Sequence, residues 1–167
     1  MLEWLESSSL AVWVGQSTSV WAMPTILTLH TMGLAVLVGA SWVLDLRLLG
    51  MSRHIPLSAF RWVFPVITVG LAVNLATGVM LFTKSATTLG TAVPFLIKMV
   101  LVAAGVATLM PIRALVLRSD PLGQERSARV SAAPAIEASA RPRRLALVSI
   151  LAWAGAVTAG RLLAYLP

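Results

Sequence analysis

The chain contains no cysteine, so a disulfide framework, a thiolate nucleophile and a cysteine-ligated metal are excluded. Charge is scarce too. Only 11% of the 167 residues are Asp, Glu, Lys or Arg, against about a quarter in soluble domains. The six acidic residues fall near the N-terminus, at Asp45 and in one late segment. A hard-cation site needs clustered oxygen ligands, which a lone Asp45 does not supply. The same scarcity leaves no Ser-His-Asp set, and no glycine-rich phosphate loop precedes a helix. A proton or ion pathway through a membrane calls for a relay of Asp, Glu or His, and with two histidines in the chain only one such residue lies deep. Transport is therefore disfavoured.

What fills the chain instead is apolar: 58% of residues are hydrophobic and the mean hydropathy is +0.88. Such a chain is an integral membrane protein. In lipid every backbone polar group must be satisfied within the protein, which selects helices here. A spanning helix takes about 20 apolar residues, so the length holds about four. The expectation is an all-α, integral membrane four-helix bundle forming one domain over residues 1–167, with a short N-terminal interfacial helix.

Apolar runs place the spans at roughly 20–44, 61–83, 94–117 and 145–165, and the serine-broken stretch 2–17 reads as a helix lying in the interface. Trp21 and Trp42 stand near the ends of the first span like interfacial anchors. No early Lys or Arg supplies the positive region of a cleavable signal peptide, so the first span is expected to stay. Pro94 suits a first helical turn, and Pro65 and Pro111, near span ends, are expected to kink their helices only locally. Segment 119–143, rich in Ser, Ala, Pro and Arg, is expected to be a mobile loop.

A net charge of +7 and a pI near 11.6 would suggest nucleic acid in a soluble protein. Here the basic residues gather in loops beside apolar runs, so they report orientation and no nucleic-acid partner is expected. Arg47, Arg53 and Arg61 follow the first span, and Arg118, Arg126, Arg129, Arg141, Arg143 and Arg144 lie between the third and fourth; the other side offers Lys84. This asymmetry puts the arginine loops in the cytoplasm and both termini in the periplasm of a bacterial inner membrane. Asp45, at the same boundary, is expected to pair with Arg47, Arg61 or Arg113. Gly70, Asn74 and Gly78, spaced by four, and Gly155 with Ala159 form small-residue stripes along which helices can approach closely.

Ionisable groups inside a bundle are costly and are functional candidates by default. Three qualify: His30, Lys98 and Arg161, with Asn74 as a further hydrogen-bonding group. At ~1.5 Å of rise per residue, His30 lies ~14 Å inward from Trp21, while Lys98 and Arg161 sit near the outer ends of their spans. One reading is structural: His30 bonds a neighbouring helix, Lys98 and Arg161 snorkel outward, and Asn74 is packing glue. The other is a shared site in which His30 is an axial ligand of a b-type haem and Lys98 and Arg161 pair with its propionates. His54 sits on the opposite side and cannot share that iron. A second ligand would be Met80, Met99, deprotonated Lys98 or a second His30 across a homodimer, and otherwise the iron is five-coordinate.

The strings LHTMGLAVLVGASWVLDLRLLG, TGVMLFT and FLIKMVLVAAG resemble an uncharacterised family of small four-helix bacterial membrane proteins. Its pattern is a histidine opening the first span, an Asp-Leu-Arg-Leu-Leu-Gly exit and Phe-x-x-Lys in the third span. The resemblance covers roughly residues 10–115. More distantly the chain is similar to the copper-resistance D family and to the small membrane protoporphyrinogen oxidases. The latter resemblance implies b-type haem, with His30 and Lys98 at the matching positions. It does not carry the oxidase activity over, because the His30 to Arg47 segment lacks the aromatic content and the Pro-Arg exit of that oxidase. Two functions are expected to compete: a membrane redox or electron-transfer protein holding haem at His30, and a cofactor-free accessory subunit of a larger membrane complex.

Overall fold

The computed structural model describes residues 2–16, residue 19, and residues 21–119 and 140–165. Two short helices come first, α1 (Leu2–Glu6) and α2 (Ser9–Gln16). The sequence suggests one helix over 2–17, and the serines divide it: Ser7 and Ser8 turn their hydroxyls onto the carbonyls of Trp4 and Leu5, and the Ala11 N–H donates to Ser8 Oγ at 3.3 Å. Ser8 thus ends α1 and caps α2, the usual competition between a short hydroxyl side chain and the helical backbone.

Four long apolar helices follow: α3 (Ala22–Leu49), α4 (Val63–Lys84), α6 (Val93–Arg118) and α7 (Ala140–Leu162). A 3-10 helix, Leu57–Trp62, leads into α4, and the short α5 (Ala86–Thr91) links α4 to α6. The four long helices are long and apolar enough to cross a bilayer, which makes this a multi-pass membrane protein of the all-α class. Leu27, Met32, Val69, Val100 and Leu151 lie on their exposed faces, where lipid contact takes the place of a soluble protein's polar surface. The stretch 120–139, most of the proposed mobile loop, lies outside the described residues, and 140–143 belong to α7.

Boundaries differ from the sequence reading where cap chemistry decides. The first span runs on to Leu49 because the DLRLL string stays helical until Gly50, which takes a left-handed φ of 112°. There the Gly50 N–H bonds to Arg47 O and the Met51 N–H to Leu46 O, the paired bonds of a glycine C-cap. Arg47 turns back along the following connection, donating from Nε to Ile55 O at 2.9 Å and from a terminal nitrogen to Arg53 O at 3.3 Å. Pro94 occupies the first turn of α6, and Pro111 lies inside that helix without ending it.

The glycine stripes find their partners. A Cβ on Gly33 would stand 3.1 Å from Asn74 N, and one on Gly70 would stand 2.9 Å from Leu37 N, so α3 and α4 meet backbone to backbone and run antiparallel. On the far side Gly155 receives Leu101, and Gly105 receives the Trp153 indole, which ties α6 to α7. Helix α7 also packs on α3. The core cluster, including Leu37, Leu44, Val63, Ile112, Val116 and Trp153, fills the half of the bundle nearer the arginine-rich end. At the other end Phe82 and Phe95 stack at 5.2 Å between ring centroids, joining the end of α4 to the start of α6. Beside them, the Glu6 carboxylate accepts from the Thr87 N–H at 2.8 Å and from its hydroxyl at 2.7 Å, anchoring α1 to α5.

Candidate functional site

His30 faces α4 because the glycine contact below it draws the two helices together. Its ring lies against Gly78, where an added Cβ would stand 3.2 Å from Cε1. Nδ1 is 3.0 Å from Thr77 Oγ1. The Thr77 hydroxyl has one proton, and Oγ1 lies 2.7 Å from Val73 O and 3.2 Å from Asn74 O. A hydroxyl that gives its proton to a carbonyl meets the imidazole as an acceptor, which favours the tautomer with the N–H on Nδ1; in the neutral ring that tautomer leaves the lone pair on Nε2. Asn74, one turn earlier, donates from Nδ2 to His30 O at 2.9 Å, filling an acceptor of α3 from the side.

Lys98, half-buried on α6, runs its stem over Gly160 of α7, and its charge lies within Coulombic reach of the imidazole. Three of the four residues singled out from sequence, His30, Asn74 and Lys98, therefore share one region of the bundle away from the arginine-rich end. Arg161 does not join them. It is exposed, with its guanidinium 5.9 Å from the Tyr165 ring centroid, the outward course that snorkelling gives an arginine near a span end. Of the histidine's alternative companions, Met80 is half-buried and Met99 exposed, and His54 is exposed in the connection at the arginine-rich end.

Thr77 is the residue that sequence reasoning missed. Threonines in apolar helices ordinarily satisfy themselves on the carbonyl a turn back, so another Thr in a span carries no signal. Its placement three residues after Asn74 and next to Gly78, on the stripe that meets α3, is the pattern that could have found it.

A second polar group lies nearer the arginine-rich end. Asp45 is fully buried, and neither carboxylate oxygen has a hydrogen-bond partner. This corrects the expected ion pair with Arg47, whose guanidinium is committed to the carbonyls of Ile55 and Arg53. Arg61 and Arg113 are exposed.

In its neutral form with the N–H on Nδ1, such an imidazole has the chemistry of a metal or haem-iron ligand, since the hydrogen bond at the second nitrogen sets ring orientation and basicity. A self-contained metal centre is a different matter: among the described residues no group of three or more His, Cys, Asp or Glu side chains comes together. Compared with known proteins, the chain matches no family model, no curated protein and no solved structure.

Proposed function

We propose that the protein is a membrane redox or electron-transfer protein that holds a b-type haem through Nε2 of His30. The observation that carries this reading is the 3.0 Å contact between Nδ1 and the Thr77 hydroxyl, whose oxygen lies 2.7 Å from Val73 O; an N–H donated there from a neutral ring would leave Nε2 as the ligating nitrogen. Bound there, the haem would supply one-electron chemistry. His30 orients the group, Gly78 leaves the ring edge uncrowded, and Lys98 offers either a propionate partner or, deprotonated, a second ligand. Arg161 would reach a propionate only at the bundle surface. In this reading the arginine-rich end faces the cytoplasm of a bacterial inner membrane and both termini face the periplasm, as the basic asymmetry of the loops favours.

The test is the visible spectrum of detergent-purified protein from cells well supplied with haem, with and without dithionite. A Soret band that sharpens and shifts on reduction supports the proposal, and its absence removes it.

A second reading rests on the same hydrogen bonds. His30, Asn74 and Thr77 tie α3 to α4 across the Gly33 and Gly70 contact, which suits polar glue in a cofactor-free accessory subunit of a larger membrane complex. That role predicts a co-purifying partner protein, a colourless preparation and a nearly silent Lys98→Ala.

A further inference from the structure

Asp45 is out of place by ordinary energetics. Among the described residues it is the one fully buried carboxylate, and both its oxygens lack partners. The Ser149 hydroxyl and the Trp153 Nε1–H, one turn apart on α7, are buried without partners as well. Ser149 lies within reach of the Asp45 carboxyl, though no pair of their atoms makes a well-formed hydrogen bond. Leu44, next to Asp45 in the chain, belongs to the buried apolar cluster with Ile112, Val116 and Trp153. An isolated carboxylate in such surroundings takes up a countercharge or gives up its own charge.

Among the described residues, no charged or titratable group at this end makes a hydrogen bond to the Asp45 carboxyl. Arg47, two residues further along α3, is spent on the Ile55 and Arg53 carbonyls. His54 and Arg61 in the connection to α4, Arg113 on α6, and Arg141 and Arg144 on α7 are all exposed. A resident metal ion is a poor fit, because among the described residues no group of three or more His, Cys, Asp or Glu side chains comes together. The acid and the hydroxyl, which can donate or accept, suit a proton.

We propose that Asp45 is a proton-binding site, taking up a proton from hydronium at the arginine-rich end and holding it as a neutral carboxylic acid beside Ser149. The step leaves one water and one O–H bond on the carboxyl, with no redox change. An open cavity of about 430 Å³ is lined by Arg141, Arg144, Leu145 and Val148, and Leu145 lies one turn before Ser149 on the same side of the helix. Asp45 also shares a face of α3 with His30, ~22 Å away and about 60° around the axis, but the site holds with or without a haem there.

The test is infrared titration of the full-length protein in proteoliposomes. Near neutral pH, where exposed carboxylates are ionised, the C=O stretch of a protonated acid is expected. It should vanish in Asp45→Asn and move to higher frequency in Ser149→Ala, because the carboxyl, once protonated, closes a hydrogen bond with the Ser149 hydroxyl within its reach that alanine cannot make. Exchanging sodium for potassium should leave it unchanged. The proposal is overturned if no acid band appears until the exposed carboxylates titrate, if the band survives Asp45→Asn, or if sodium abolishes it. Should Asp45→Asn fail to fold, the Ser149→Ala shift decides: a band at the wild-type frequency overturns the proposal.

Discussion

Gly70 meets the backbone of Leu37 so closely that an added Cβ would stand 2.9 Å from its nitrogen. Backbone cannot rotate out of the way as a side chain can, so Gly70→Ala must push α3 and α4 apart, at a cost of about 1–3 kcal/mol. Gly39, on the same α3, has nothing within 4 Å of such a Cβ, and Gly39→Ala should be neutral or stabilising by up to ~1 kcal/mol. Thermal unfolding in detergent compares the two, and a Gly70→Ala protein as stable as wild type would contradict the contact. Thr77→Val removes the acceptor from His30 at a cost of about 1 kcal/mol, and it releases the tautomer. The imidazole ¹⁵N shifts should report a single Nδ1–H form in wild type and a mixture in the variant. At this scale the sequence exposes what is rare: a histidine, a lysine and an asparagine in apolar runs are visible by contrast. It hides Thr77, because span threonines are common, and it misleads at Asp45, because neighbouring arginines along the chain say nothing about where their guanidinium groups turn.

Among the elements, the short N-terminal helices have a polar anchor that runs from Glu6 to Thr87. The hydroxyl and then the backbone N–H of Thr87 hold the Glu6 carboxyl below its usual range. A depressed acid contributes stability that is present above its unfolded value and is lost as pH falls through the folded one. Protection of the α5 amides, the exchange rate taken against the intrinsic rate at the same pH, should therefore be high near neutral pH and fall below the ordinary glutamate range, whereas Glu6→Gln should be weakly protected throughout. Equal rates in the two proteins at neutral pH would show that the anchor contributes nothing. The long helices were legible because hydropathy alone marks them. Their ends were less so, since Gly50 and Ser8 act through cap geometry that an apolar window averages away.

For the whole molecule, the four long helices form a bundle with its apolar core toward the arginine-rich end and its histidine site toward the other. The proposed orientation, with the arginine-rich end in the cytoplasm, rests on the basic asymmetry of the loops. Single cysteines settle the direction cleanly because the chain has none of its own. His54→Cys should label only from the cytoplasmic side and Thr88→Cys only from the periplasmic side, and the reverse pattern would invert the orientation. Which helices touch was not legible from the stripes, which mark close contact without naming a partner. The pairing of α3 with α4 through Gly33 and Gly70 is what aims His30 at Thr77.

The central claim is that His30, with Nε2 left as its free nitrogen, is the ligand of a haem. Its most direct measurement is the reduced-minus-oxidised visible spectrum of wild type beside His30→Ala, purified in parallel from haem-replete cells. A haem spectrum in wild type that is lost in His30→Ala, with the variant still folded by circular dichroism, is the predicted result. No haem band in wild type, or the same band in both proteins, would contradict it.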